Sequence, residues 1–362
     1  MLGLVAALTS LLVQGFVLPG GGASALEKKP SAHRRATIAA VGDVMFGRYK
    51  LDDEGERNYR LVVKKGDAFA EVAPLLGAAD LAFANVETPI MEEPETFSVH
   101  RMLTFRADPA RAAELARAGF DVVSLANNHV HNLGGGGAVE SRAHLEAAGV
   151  DAAGAGADVA QAFQPVVRHV HGLKVAFLAY TLWHNMRSPV TPEGAVAHIN
   201  VGDLSRRVPD AIRAARSDEG ADFVVVSVHW GIEFESHPAP SQIEAAHQMV
   251  DAGADLVLGH HPHVLQDIEL YHGGAIAYSL GNFVFDEGYL DRRQTIILHA
   301  TLDGTGITRR VTDVSLTPIM IGHHDHIPRP ASGTDLGILR KKLAEIAPGI
   351  PVRAPELRLS TN

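Results

Sequence analysis

Short apolar segments alternate with longer amphipathic segments along most of the chain. The apolar segments are rich in Val, Ile and Leu, and they lack the strict alternation of a half-exposed strand. This pattern is typical of strands that are buried on both faces of a sheet. The predicted strands are Thr37–Val41, Asp80–Val86, Asp121–Ala126, Lys174–Tyr180, Asp222–Val228, Asp255–Leu258 and Ala275–Leu280.

Helices are predicted between these strands. An Asp-Pro pair opens the first helix, and glycines follow the ends of two others, as is usual at helix termini. The predicted helices are Asp108–Ala118, Ala138–Ala148, Asp203–Ser217, Ser241–Ala252 and Leu336–Ala347. Strands that alternate with helices predict an α/β fold with a largely parallel or mixed sheet.

The pattern changes beyond Gln294. Two strand-like segments follow, Thr295–Leu302 and Ile307–Leu316, and Asp303-Gly304 between them predicts a hairpin turn. A Pro-rich tail begins after Ile327. We therefore predict one α/β domain over residues 36–290. Residues 291–362 should complete the fold as a β hairpin and a tail.

The amino-terminal segment resembles an export signal. Leu2–Leu18 is apolar, and Ala23-Ser24-Ala25 is typical of a signal-peptidase site, so residues 1–25 are predicted to be a signal peptide. However, no Lys or Arg precedes the apolar run, and basic residues such as Lys28 follow it. An uncleaved anchor therefore also fits. Either reading predicts an exported protein, which is periplasmic, secreted or held at the cell surface.

The amino-acid composition restricts the partners and the metal ligands that the chain can have. The 362 residues are 46% hydrophobic and 20% charged, which is typical of a globular protein. A net charge of −10 argues against nucleic acid as a partner. The chain has no Cys, which excludes thiolate metal sites and Cys nucleophiles, but it has 20 His. Any bound metal must therefore have imidazole, carboxylate or amide ligands.

Polar clusters follow six of the predicted strands. Ligands bind at the carboxyl edge of α/β sheets, so we expect these side chains to meet there. Such residues hold Mn, Fe, Zn or Mg, and a pair of these ions can promote phosphoester hydrolysis. The clusters are Gly42-Asp43, Glu87, Asn127-Asn128-His129, His229, His260-His261-Pro262-His263 and Gly281-Asn282.

Each cluster also has a purely structural interpretation. Asp43 could cap a turn, the asparagines could form turns, and His229 could be a hydrogen-bonded core residue. Three histidines around Pro262 are harder to explain in this way. The further His-rich segment His323-His324-Asp325-His326 lies outside the repeating pattern, and we interpret it as a solvated loop or an adventitious metal patch.

Six motifs in this order resemble the bacterial capsule-biosynthesis (CapA-type, poly-γ-glutamate synthesis) family. That family is in turn similar to calcineurin-like metallophosphoesterases. The resemblance implies a four-layer α/β/β/α sandwich of metallophosphoesterase type with a dinuclear metal site, followed here by a β-rich C-terminal extension. The motifs are Gly42-Asp43-Val44-Met45, Asn85-Val86-Glu87-Thr88-Pro89, Ala126-Asn127-Asn128-His129, His229-Trp230-Gly231-Ile232-Glu233, Asp251–Asp255 with the run to His263-Val264-Leu265-Gln266, and Tyr278–Phe283.

The resemblance also implies roles for individual residues. Asp43 and His129 are the candidate catalytic residues, and His129 would donate a proton or a hydrogen bond to the reacting phosphate. His260 with His263 is an alternative to the closing pair formed by His261 and His263. The implied metal ligands are Asp43, Glu87, Asn128, His229, His261 and His263. The residues expected to support the site or bind substrate are Asn127, His260, Arg48, Glu233 and Asn282.

Two departures from the phosphoesterase pattern affect the expected metal site. Met45 stands where the pattern has a histidine, and Asn85-Val86-Glu87 replaces a block that contains Asp. These departures predict that one of the two metal positions is weak or missing. The cofactor is therefore expected to be one or two divalent ions.

Two functions remain open at this point. One is an exported hydrolase of a phosphoester or amide bond in poly-γ-glutamate or capsule biosynthesis. The other is a non-catalytic accessory subunit that binds metal or polymer. The expected partners are an anionic polymer or phosphoester and membrane-bound capsule synthesis subunits. A general nucleotidase would need an aromatic clamp for the base, and the sequence shows no obvious one.

Overall fold

The computed structural model describes residues 34–95, 97, 99, 104–185, 190–305 and 308–353. The predicted signal peptide or anchor at residues 1–25 lies outside these ranges. Within them, no helix combines the length and the apolar character that crossing a membrane requires.

Strands supply most of the regular structure. They are β1 (Arg34–Val44), β2 (Gly47–Leu51), β3 (Arg57–Leu61), β4 (Leu81–Val86), β5 (Thr104–Phe105), β6 (Val122–Ser124), β7 (Asp151–Ala153), β8 (Ala155–Gly156), β9 (Val166–Val170), β10 (Leu173–Thr181), β11 (Val190–Thr191), β12 (Gly194–Val196), β13 (Phe223–His229), β14 (Leu256–His260), β15 (Ile268–Tyr271), β16 (Gly274–Ala277), β17 (Asn282–Val284), β18 (Gln294–Thr305), β19 (Thr308–Ile321) and β20 (Pro328–Pro330).

Helices lie mainly between the strands, as the sequence predicts. Their observed ends differ by a few residues from the predicted ends, as is common for helix boundaries. They are α1 (Ala73–Leu76), α2 (Ala110–Ala118), α3 (Gly136–Ala147), α4 (Val159–Phe163), α5 (Val201–Ser217), α6 (Pro240–Asp251), α7 (Leu290–Arg293) and α8 (Gly333–Ile346).

The first sheet has the order β20-β19-β18-β1-β4-β6-β7, with β17 also paired to β1. Strands β1, β4, β6 and β7 are parallel neighbours, whereas β18 runs antiparallel to β1. The connections between the parallel strands pass through α2 and α3, which bury Leu115 and Leu145. Because crossover helices pack on the face of a sheet, these helices cover one side of it.

The second sheet has the order β15-β16-β14-β13-β10-β9. Along β10, Val175 and Phe177 belong to the core shared with the first sheet, whereas Ala176 and Leu178 pack in a second core with α5 and α6. The rings of Phe83 and Phe177 stack at 5.9 Å between the two sheets. The layers are therefore helix, sheet, sheet and helix, which confirms the predicted four-layer sandwich.

The C-terminal strands join the first sheet. β18 lies beside β1, so the predicted β-rich C-terminal region is confirmed. The predicted turn at Asp303-Gly304 is wrong, because Asp303 pairs with Arg310 and Gly304 with Arg309 inside the hairpin. Asp303 also accepts hydrogen bonds from Arg35 on β1. Cross-strand pairing to β1 and β19 therefore overrides the turn preference of the Asp-Gly pair.

Two strand boundaries also differ from the sequence prediction. Asp43 lies inside β1, one residue before its end, because β1 continues to pair with β4. Asn282 does not follow a strand but begins β17, which pairs with β1 so that Asn282 lies opposite Asp43. The chain crosses from the second sheet to the first between Ala277 and Asn282. The sequence does not reveal this crossing, because the apolar run through Leu280 is typical of a single continuous strand.

Gly42 allows this close pairing next to the candidate site. A Cβ atom at position 42 would overlap the carbonyl oxygen of Gly281, and the adjacent Asp43 N–H donates to that same oxygen at 2.9 Å.

We expect Gly42→Ala to lower the free energy of unfolding by at least about 2 kcal/mol, measured by urea denaturation. Gly337→Ala on α8 is the matched control, since nothing lies within 4 Å of its Cβ position. It should raise stability by about 0.5–1 kcal/mol, and equal losses in both variants would contradict the close-approach argument.

Candidate metal centre

The two sheets bring their carboxyl-terminal strand ends together at one edge. Asp43 comes from β1 and Glu87 from the residue after β4, both in the first sheet. His229 ends β13 and His260 ends β14 in the second sheet. All four are buried. The parallel pairing of β1 with β4, and of β13 with β14, places them at this edge as the sequence predicts.

Glu87 lies at the centre of the cluster. Neither of its carboxylate oxygens has a hydrogen-bond partner among the described residues. Its Oε1 lies 3.6 Å from His229 Nε2, 3.8 Å from His263 Nε2 and 3.9 Å from His129 Nε2. Burial raises the pKa of Glu87 well above its usual range. A buried acid without partners, surrounded by imidazoles, fits a bound cation.

One group of candidate ligands surrounds His229 Nε2. Asn128 Oδ1 lies 2.9 Å from this nitrogen and His261 Nδ1 lies 3.1 Å from it. Glu87, His229 and His261 form one of the clusters that could hold a metal ion. Ligands 2.0–2.1 Å from a tetrahedral ion are separated by about 3.4 Å, which is close to the separations observed here.

A second group of candidate ligands consists of Asp43, Glu87 and His263. His263 Nδ1 lies 3.4 Å from Asp43 Oδ2. Glu87 belongs to both groups, so it is a candidate ligand for an ion in either position. The histidine that the phosphoesterase pattern has on the first strand is replaced by Met45, which is buried in the apolar core and adds no ligand.

The charges of the cluster are strongly coupled. Burial by itself raises the pKa of Asp43, but the imidazoles of His260 and His263 outweigh it and hold this pKa well below its usual range. Burial also opposes charge on His263, yet Glu87 and Asp43 raise its pKa to about 10. Burial and the neighbouring His263 lower the pKa of His261 to about 3. These opposite directions favour an ion pair between the His263 imidazolium and the Asp43 carboxylate.

Asn282 fixes the orientation of His263. The Asn282 side-chain amide donates to the carbonyl oxygens of His263 and Arg292, at 3.2 and 3.0 Å. These two acceptors determine which end of the amide carries the oxygen. Asn282 Oδ1 therefore accepts a hydrogen bond from His263 Nδ1 at 2.9 Å, which leaves Nε2 directed towards Glu87. Such partners set the tautomer of metal-binding histidines.

Asn132 orients the imidazole of His129 in the same way as Asn282 orients that of His263. Its Oδ1 accepts the backbone N–H of Phe105 at 2.8 Å and lies 2.7 Å from His129 Nδ1, which must therefore be the donor. The ring of Phe105 stacks on His129 at 3.8 Å between centroids. The sequence analysis missed Asn132 and Phe105. The His129-x-x-Asn132 spacing was the one available signal for Asn132, whereas Phe105 is brought in only by the fold.

The loop after β14 holds two residues in the left-handed region. His261 has φ +95° and His263 has φ +57°, conformations that non-glycine residues seldom adopt. The loop points His261 towards His229 and His263 towards Asp43. Backbone strain of this kind clusters at functional sites. His261 thus belongs to the group with His229 and His263 to the group with Asp43, a distinction that their spacing does not reveal.

The remaining predicted residues have varied surroundings. His260 is fully buried with its Nδ1 3.2 Å from Asp43 Oδ1, outside the ligand groups. Glu233 is exposed and forms a third candidate group with His261 and His263. Asn127 donates to Val86 O at 2.8 Å, which ties two site loops together.

Arg48 is buried and does not face open solvent. Its guanidinium donates to Asp286, with Nε 3.0 Å from Oδ2, and lies over the rings of Phe105 and Phe285. An anionic substrate would have to compete with Asp286 for this residue. The segment from His323 to His326 is a turn between β19 and β20, and Asp325 there pairs with Arg329.

Comparisons with known proteins identify the family to which this chain is similar. The family described as "Bacterial capsule synthesis protein PGA_cap" matches residues 37–287. The capsule biosynthesis protein CapA of Bacillus anthracis is 33% identical over 289 residues, 77% of this chain and 68% of that protein. The PGA biosynthesis protein CapA of Bacillus subtilis is 31% identical over 301 residues, 82% of this chain and 74% of that protein.

More distant similarities were also found. A probable polyglutamine synthesis accessory protein of Mycobacterium tuberculosis is 28% identical and covers 76% of this chain and 74% of its own length. Among solved structures, a hypothetical protein from Thermus thermophilus has a TM-score of 0.45 at 18% identity, with 78% of this chain and 98% of that chain covered. The sulfate thiohydrolase SoxB from Thermus thermophilus has a TM-score of 0.45 at 13% identity, covering 91% of this chain and 62% of that chain.

Fold and site together define a layered α/β protein with a carboxylate- and histidine-lined candidate metal centre. The family match covers most of the residues that build this centre. The chain belongs to the bacterial capsule synthesis (PGA_cap) family. The predicted family resemblance is therefore confirmed.

The Glu87 carboxylate, which has no hydrogen-bond partner among the described residues, leads to a test of the centre. In EDTA, Glu87→Gln should be at least as stable as the wild type, because it removes a buried acid whose oxygens accept no hydrogen bond from the described part of the chain. With Mn²⁺ or Zn²⁺ at 100 times the Kd, the wild type should gain about 2.7 kcal/mol, and the variant much less. Thermal unfolding with and without metal measures both effects. The exposed Glu54→Gln is the control, and an equal metal gain in all three proteins would exclude Glu87 as a ligand.

Proposed function

We propose that this protein is a metal-dependent hydrolase that cleaves a phosphoester or amide bond in the biosynthesis or export of poly-γ-glutamate or a related capsule polymer. The observation that supports this most strongly is the Glu87 carboxylate, which lacks hydrogen-bond partners among the described residues and is shared by two groups of candidate ligands. Family membership supports the capsule pathway, and the site supports the reaction.

The ligand set suggests which ions the centre would hold. Asn128, His229, His261 and Glu87 would hold one ion, and Asp43, His263 and the shared Glu87 the other. Imidazole ligands suit Mn²⁺, Fe²⁺ or Zn²⁺, whereas Mg²⁺ prefers oxygen ligands and retains water. A divalent metal in such a site supplies Lewis acidity and a nucleophile at neutral pH.

His129 would assist the leaving group. Asn132 accepts its Nδ1–H, so that Nε2 faces Glu87 and the substrate position. As an imidazolium it would donate the Nε2–H to the oxygen that carries developing charge. Asp43 and Glu87 are fully buried, so bulk water screens their interaction with a bound cation only weakly.

The central test is metal analysis of the purified chain together with activity. We expect stoichiometric metal in the wild type, and loss of metal in both Asp43→Asn and His263→Ala. Turnover of a panel of phosphoesters and γ-glutamyl peptides should fall at least about 100-fold in both variants. Absence of bound metal in the wild type after Mn²⁺ or Zn²⁺ is supplied would exclude the proposed centre.

A second test separates catalysis from metal binding. His129→Gln should keep the metal content of the wild type but lower kcat about 10²- to 10⁴-fold, because it removes the proton donor. Loss of metal in this variant would instead make His129 a ligand.

A non-catalytic accessory role is the alternative, and one observation favours it. Met45 occupies the place of a ligand histidine, which leaves three described side chains for the second ion. The mycobacterial relative is itself named a probable accessory protein. Stoichiometric metal without turnover of any panel substrate would support this alternative.

The proposal also includes the place of action. The amino-terminal sequence suggests export by a signal peptide or anchor, which would put the protein beside a surface polymer and membrane-bound synthesis subunits. The net charge of −10 does not attract a polyanion. Binding of the polymer would therefore depend on the metal centre and local groups.

A further inference from the structure

A cavity of about 510 Å³ adjoins the candidate metal centre. It lies between the first turns of α5 and α6 and the loops that follow β10 and β13. The ring of Trp183 forms one wall, and its centroid is 5.6 Å from that of His261. Trp183 Nε1 donates to Gly231 O at 3.0 Å, which fixes the ring. The cavity and the His261 ligand group thus share a wall.

The lining of this cavity is mostly apolar. Leu182, Trp183, Leu204 and Ile232 contribute to it, and the side chain of Ile232 is 63% exposed at its rim. Glu244 is the one charged residue among the described lining residues, and none of them is Lys or Arg. A chain of carboxylates would therefore be repelled, whereas an uncharged apolar group would be favoured.

Gln242 is a polar side chain in the lining of the cavity. Its side chain is only 7% exposed, and its Oε1 caps α6 by accepting Ala239 N–H at 2.9 Å. Its Nε2 is buried and has no partner among the described residues. A Cβ on Gly231 would lie 2.9 Å from this nitrogen, and the φ of +84° also favours glycine at that position. Gly231 thus lets the Gln242 amide pack closely against the backbone in the wall of the cavity.

From this lining we propose that the cavity binds the apolar chain of an amphiphilic phosphoester. The phosphate would lie at the His261 side of Trp183 and the chain would extend past Ile232. This inference rests on the proposed function, which it makes more specific: the substrate of the centre is a phosphate ester of a long-chain alcohol rather than the anionic polymer itself. Neither the family nor the named relatives specify such a chain.

Tryptophan fluorescence provides a direct binding assay. The chain has two tryptophans, and Trp230 is fully buried, so that ligand in the cavity should change the emission of Trp183 alone. We would titrate the metal-free full chain with ethyl, butyl, hexyl and octyl phosphate below their micelle concentrations. Affinity should rise about fourfold for each added methylene. Equal affinity for all chain lengths, or tighter binding of adenosine monophosphate than of octyl phosphate, would overturn the inference.

Three variants control the assay. Ile232→Asp should weaken octyl phosphate binding at least tenfold, because it places a carboxylate at the rim of the cavity. Leu270→Asp replaces an equally exposed side chain on β15 outside the cavity, and it should leave the affinity unchanged. Trp183→Phe should abolish the fluorescence change while calorimetry still detects binding. Equal weakening by both aspartates would indicate a general charge effect and would contradict the inference.

The assay distinguishes failure of the inference from failure of the proposed function. If affinity rises with alkyl length but the protein neither binds metal nor turns over substrate, the apolar ligand of the cavity is supported and the hydrolase function is rejected. If turnover depends on metal but affinity does not change with alkyl length, the hydrolase function is supported and binding of an apolar chain in the cavity is rejected.

Discussion

The centre depends on one unfavourable arrangement, the burial of the Glu87 carboxylate without a hydrogen-bond partner among the described residues. Burying an acid in this way is costly unless a cation compensates it. The nearest imidazole nitrogens of His129, His229 and His263 lie 3.6–3.9 Å from Glu87 Oε1, which is beyond hydrogen-bond distance. The chain therefore holds ligand atoms near one another in a geometry that a metal ion would stabilise. The buried carboxylate therefore lowers the stability of the metal-free folded state, and such local destabilisation is common at functional sites.

The two-sheet architecture makes this arrangement possible. Each sheet contributes strand ends from parallel pairs, and the apolar packing between the sheets, including Phe83 on Phe177, fixes their separation. Asn282 and Asn132 then set the rotation of individual imidazoles. Rigid strands position the ligands, while the loop after β14 adopts left-handed conformations to aim His261 and His263 separately. Ligand placement is thus shared between regular structure and a strained loop.

The surroundings of the centre are chemically uneven. Arg48 is engaged with Asp286 on one side, and on the other side Trp183 opens onto an apolar cavity. A substrate with one charged end and one apolar end matches this asymmetry better than a uniform polyanion does. The half-exposed Trp183 is the aromatic wall that the sequence did not reveal, because its position beside His261 results from the packing of β10 against β13.

The sequence by itself determined the layered α/β class, most strand and helix positions and the edge at which polar clusters gather, because apolar periodicity and strand-end chemistry are local properties. It could not determine the hairpin turn beyond Gly304, the start of β17 at Asn282 or the pairing of Arg48 with Asp286, since each depends on partners distant along the chain. Only the tertiary structure placed His261 in the group with His229 and His263 in the group with Asp43, although Glu233 forms a further group with both. The backbone of a loop decides this, and residue spacing does not encode it.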